Sequence, residues 1–131
     1  MTVNRMTRVY AVFAGGADFC TGLGLVCVPQ VVLPLMGLVP PAGEALVFLR
    51  WVGVFVGTVG ACYWWGLLRP AAGLRAMLEL TLLFRVAVGL FGVVAILRGW
   101  LAPVWASVPA TDLALAAAQG WLLRKGAGHD D

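Results

Sequence analysis

The stretch LELTLLFRVAVGLFGVVAIL, residues 78–97, decides the fold class. Only Glu79 and Arg85 in it are charged. At about 1.5 Å of rise per residue, twenty helical residues span roughly the 30 Å of a bilayer's hydrocarbon. The remainder of the chain has the same character. Of 131 residues, 62% are hydrophobic and 11% charged, and the mean hydropathy is +0.95. A water-soluble domain carries about 25% charged residues to cover its surface. This composition therefore points to lipid as the solvent.

Four apolar runs are long enough to cross: about 9–28, 45–68, 76–97 and 103–123, followed by a polar tail, 124–131, expected to be disordered. The expected fold is all-α, an integral membrane four-helix bundle forming one domain over 1–131. The first run follows Arg5 and Arg8, as a signal peptide would. However, Asp18 interrupts it, its apolar stretch continues to Val28 and no A-x-A site follows, so it reads as an uncleaved span. Between the first two runs, Pro29, Pro34, Pro40 and Pro41 forbid one continuous helix. A short apolar interfacial helix over Val31–Gly37 fits there. In the fourth run, Pro109 leaves two options. Either the span starts near Pro103 and kinks, or Trp100–Val108 lies at the interface and Asp112 sits closer to the outer surface.

Four crossings put the N-terminus, the second connection and the C-terminus on one side, with Arg5, Arg8, Arg69, Arg75, Arg124 and Lys125. The other side has Arg98 and, nearer the membrane, Arg50. The positive-inside bias then makes both termini cytoplasmic. The six tryptophans mostly fall near span ends, as an interfacial belt does.

Asp18, Arg50, Glu79, Arg85 and Asp112 fall within or just inside the runs. A central Asp or Arg costs roughly 2.5–3.5 kcal/mol to insert, so such residues normally face protein and pair. Helical spacing supports this. Asp18 shares a face with Gly15 and Gly22, and Arg85 with Thr81, Gly89 and Gly92. Arg50 leads Gly53, Gly57 and Gly60, while Asp112 shares its face with Ala116 and Gln119. Small residues mark close helix approach in membranes, Gly53-x-x-x-Gly57 being the familiar form. All these charges are thus expected to point inward. Arg85 should be flanked by Asp18 and Asp112, since one guanidinium can serve two carboxylates. Glu79 should pair with Arg75, and Arg50 should reach Glu44 or snorkel to headgroups. The intramembrane cluster reads first as a register lock and, as the alternative, as a proton- or substrate-binding site.

Catalytic signatures are missing from the sequence: there is no phosphate loop, H-E-x-x-H or nucleophile elbow. Cys20, Cys27 and Cys62 lack metal-ligand spacing, and the single histidine, His129, lies in the tail, so neither metal nor haem is expected. Basic residues punctuate apolar runs rather than forming one solvated face, so nucleic acid is not an expected partner. Expected partners are the bilayer and a protein, or further copies of the chain, through the glycine-rich faces.

The order of features, TGLGLVCVPQVVLPLMGL, EALVFLRWVGVFVGTVG, LTLLFRVAVGLF and TDLALAAAQGWLL, resembles the DoxX-like superfamily of small bacterial four-helix membrane proteins, especially its uncharacterised relatives. The matching positions are Glu44, Arg50, Gly53 and Gly57, then Arg85, then Asp112. The resemblance implies a multi-pass protein of the bacterial cytoplasmic membrane and supplies no catalytic residues. It also implies a membrane subunit of a redox or stress-related complex. Three functions remain open: a non-catalytic subunit or scaffold, a small proton-coupled transporter acting as an oligomer through Asp18, Arg85 and Asp112, and a quinone-reactive subunit.

Overall fold

In the computed structural model, which describes residues 5–127, every regular element among the described residues is helical. The helices are α1 (Arg5–Cys27), α2 (Pro29–Leu35), α3 (Glu44–Leu67), α4 (Ala71–Leu97) and α5 (Ser107–Ala127), with a single 3-10 turn at Pro103–Ala106 before α5. Three of them, α1, α3 and α4, are long and apolar enough to cross a membrane.

Proline and glycine set the breaks. Pro29 opens α2 at a position whose missing N–H would lack a helical partner anyway. Gly37 (φ +76°) and Gly99 (φ +73°) end α2 and α4 in the left-handed conformation that costs glycine nothing. Beyond each glycine the chain turns back, Leu38 N–H donating to Leu33 O and Trp100 N–H to Ala95 O. The short helix thus runs over Pro29–Leu35, two residues ahead of the expected Val31–Gly37.

Several boundaries differ from the sequence expectation, and α1 already begins at Arg5, ahead of the expected residue 9. Helix α4 begins at Ala71, directly after Pro70, rather than near residue 76. The fourth long helix starts at Ser107, because Pro103 opens the 3-10 turn instead. Pro109 then falls in the first turn of α5, where its absent N–H breaks no intrahelical bond and no kink is required. Finally, α5 continues through Arg124 and Lys125 to Ala127, so the first half of the expected tail is helical. Residues 128–131, with His129, lie outside the described residues.

The long helices associate as two principal pairs, α1 with α3 and α4 with α5, joined mainly through α3 and α4. Along the first pair, Gly15 meets Gly60 while Gly22 meets Gly53 and Gly57, so the two run antiparallel. Along the second, Gly89 packs under Leu113, and Gly92 packs under Pro109. One apolar cluster, Ala11, Ala14, Tyr63, Leu74 and Leu78, occupies the end where α1 starts. Another, Leu25, Leu33 and Leu38, lies toward the opposite end and seats α2. The middle is polar. Outward, the surface is hydrocarbon: Phe13, Leu83, Phe91 and Leu97 are among many large apolar side chains left exposed. Apolar exposure on this scale suits lipid and would drive aggregation in water.

Candidate functional site: a polar network around Arg85

Arg85 lies on the inward stripe of α4, in register with Leu74, Leu78, Thr81 and Gly89, and its side chain is only 2% exposed. Its fork reaches three helices. Nη2 donates to Asp18 Oδ2 on α1 at 2.6 Å, Nη1 to Asp112 Oδ1 on α5 at 2.9 Å, and Nε to Tyr63 Oη on α3 at 2.9 Å. The small neighbours Gly89 and Gly22 permit this: they let helices approach closely enough for side chains of ordinary length to meet.

The network continues beyond the ion pairs. Tyr63 donates its hydroxyl proton to Gln119 Oε1 at 2.8 Å. Tyr10 Oη lies 2.8 Å from the same oxygen and 3.0 Å from the Leu115 carbonyl. Gln119 Nε2 in turn donates to the Leu78 carbonyl and to Thr81 Oγ1. Thr81 spends its own proton on the Met77 carbonyl, so it must accept from Gln119. That requirement fixes the orientation of the amide: Nε2 faces α4 and Oε1 faces the two tyrosines. Gln119 is fully buried, with every polar group of its side chain engaged. Among the described residues, no buried side-chain nitrogen or oxygen lacks a partner.

Electrostatically, one guanidinium meets two carboxylates. Asp18 and Asp112 are 15% and 21% exposed, so the ion pairs are closed on the arginine side and partly open on the carboxylate side. Asp18 Oδ1 and Asp112 Oδ2 take no bond from Arg85.

The structure brings Asp18, Arg85 and Asp112 together and leaves the other two charges outside the network. Glu79 accepts from Arg75 Nε at 2.8 Å on the surface of α4. Arg50 stands exposed on α3 and forms no ion pair among the described residues, Glu44 included, so it does not point inward. The reason is angular: Gly53 faces α1, but Arg50, one short turn away, falls at the edge of that face. The glycines Gly15, Gly22, Gly53, Gly57, Gly60, Gly89 and Gly92 all lie against a neighbouring helix. Sequence reasoning passed over Tyr63 and Tyr10. The available signal was the glycine stripe of α3, which continues from Gly60 to Tyr63 as naturally as to Trp64. Trp64 instead covers Gly15 from outside, its indole N–H donating to the Val12 carbonyl at 3.3 Å.

No protein-family model, no curated protein and no solved structure matches this chain.

Proposed function

We propose that this chain is a multi-pass, non-catalytic subunit or scaffold of the bacterial cytoplasmic membrane, a four-helix bundle with both termini cytoplasmic. The observation that carries the reading is the Arg85 network, in which a buried polar centre is satisfied by side chains from α1, α3, α4 and α5 beneath an apolar exterior. A centre with its donors and acceptors so engaged holds helices in register and does not itself offer a reaction. Helix α5 crosses as well. Its 21 residues span about 31 Å. Its low average hydropathy reflects Asp112 and Gln119, which are spent inside the protein, together with Arg124 and Lys125 in its last turn. The resemblance to DoxX-like proteins, with its redox or stress-related setting, agrees with this role.

Co-purification from native membranes in mild detergent tests it. A protein partner should travel with the chain in fixed stoichiometry. Recovery as a lone monomer, with no partner after cross-linking in the membrane, removes the reading.

The excess carboxylate favours a second reading, proton-coupled transport by an oligomer, because one acid more than the guanidinium can neutralise is partly accessible. It predicts proton flux into proteoliposomes that is abolished in Asp18→Asn, and flux unchanged by that substitution rejects it.

A further inference from the structure

We propose that a groove at the start of α1 is a binding site for an anionic phospholipid. The inference rests on the membrane reading above. The groove has a volume of about 310 Å³ and is lined by Arg5, Arg8, Val9, Val12, Phe13 and Leu67. Five of these residues are spaced i, i+3, i+4, i+7 and i+8, so they form one continuous stripe down α1, and Leu67 of α3 supplies the facing wall. The stripe has a chemical direction. The whole stripe rises about 12 Å: two guanidinium groups stand at the helix end, and the side chains below them, Val9, Val12 and Phe13, are all hydrocarbon. Phe13, the deepest, is 74% exposed. Neither arginine forms an ion pair among the described residues, and no acidic side chain lines the groove.

A phosphodiester above two acyl chains is the ligand with that same polarity. Its anionic oxygens accept charge-assisted hydrogen bonds from the arginines. Its chains lie along Val9, Val12 and Phe13, covering a surface that inorganic phosphate would leave bare. The location agrees with the anionic leaflet, because α1 starts at the same end where α5 closes with Arg124 and Lys125. These two belong to a different helix and do not line the groove, which makes them a control of equal charge.

Native mass spectrometry of the full chain in mild detergent, titrated with dioleoyl phosphatidylglycerol or dioleoyl phosphatidylcholine, tests the site. Phosphatidylglycerol should be retained about tenfold more strongly, and Arg5→Gln with Arg8→Gln should abolish that preference. Arg124→Gln with Lys125→Gln should leave it intact. Equal retention of the two lipids, an unchanged preference in the Arg5/Arg8 variant, or an equal loss in the Arg124/Lys125 variant overturns the proposal. Displacement of the lipid by inorganic phosphate overturns it too. Alkaline extraction of native membranes separates the two failures. A chain that stays in the membrane pellet but does not prefer phosphatidylglycerol loses only the groove, whereas a chain released into the supernatant loses the membrane reading with it.

Discussion

The seam between α1 and α3 and the centre around Arg85 hold helices together by opposite means. At the seam the side chains have been removed: Gly22 lies against the backbone of Gly53 and Gly57, and Gly60 against that of Phe19. At the centre the side chains do everything, through bonds from Arg85, Tyr63 and Gln119 to four helices. Lipid tails are as apolar as leucine, so burying hydrocarbon drives helices together weakly in a membrane, and close packing and polar bonding must supply the difference. The seam uses the first and resists added volume. The centre uses the second and resists loss of a partner.

The largest expected effect comes from removing the centre's cation. Arg85→Gln leaves Asp18 and Asp112, both partly buried, without their counter-charge; a fully buried pair broken in this way loses about 3–5 kcal/mol, which sets the upper end here. Adding Asp18→Asn and Asp112→Asn to the same chain removes the stranded charges, so the triple variant should be more stable than the single one. Thermal unfolding in detergent measures both. Equal midpoints for the single and triple variants would show that the three side chains are not energetically coupled.

At the seam the effect is steric and somewhat smaller. A Cβ on Gly22 would run into Gly57 N and Cα, and one on Gly60 into Phe19 N, all of them backbone atoms that move only with their helix. Overpacking of this kind costs about 1–3 kcal/mol. Gly22→Ala and Gly60→Ala should each lower the unfolding midpoint, although alanine is the better helix former. Cysteine cross-linking between α1 and α3 should weaken in parallel. A stability equal to wild type in either variant would mean that the helices are less closely opposed than described.

How legible this was in the sequence depended on how costly each residue is in lipid. Asp18, Arg85 and Asp112 stand out because charge inside an apolar run demands a partner, and rise per residue places all three at similar depth. Gln119 follows from its place on the face of Asp112, but Tyr63 and Tyr10 do not stand out. Neutral polar side chains are cheap enough in a membrane helix to have many ordinary explanations, so their inward aim needed coordinates. Arg50 shows the limit of face arithmetic. Arg50 lies three residues from Gly53, an angular offset of about 60°, and that offset is the difference between inward and outward. The onset of α5 was ambiguous for another reason: Pro103 and Pro109 are both acceptable in a first turn, and only packing of Pro109 on Gly92 distinguishes them.

Tyr63→Phe probes the centre without touching charge. It deletes one oxygen, leaving Arg85 Nε without its acceptor, while Gln119 Oε1 keeps the bond from Tyr10. One lost hydrogen bond to a charged group is worth about 1.5–3 kcal/mol, and the remaining partners of Arg85 should hold the loss to the low end. Gln119→Leu should cost at least as much, because it leaves the Tyr63 hydroxyl proton without its acceptor and removes the amide's bonds to Leu78 O and Thr81 Oγ1. If Tyr63→Phe were neutral, the guanidinium would be held by the carboxylates alone and α3 would not belong to the network.

The smallest effect separates the sequence motif from the contact. Gly53-x-x-x-Gly57 is the pattern a reader would select as the packing signature, and a symmetrical reading makes both glycines essential. The seam is not symmetrical. A Cβ on Gly57 would sit 3.7 Å from Gly22 Cα, an ordinary van der Waals distance, whereas one on Gly53 would come within 2.8 Å of Leu25 Cβ. Gly57→Ala therefore adds a methyl group into available space and also gains up to about 1 kcal/mol of helix propensity. Its unfolding midpoint should match or slightly exceed wild type, while Gly53→Ala should fall below it. The contrast with Gly22→Ala is the sharpest, since those two residues face each other across one contact. Only the carbon added from the α1 side meets backbone head-on. A Gly57→Ala variant as damaged as Gly22→Ala would put the α1–α3 register at least one residue away from the one described here.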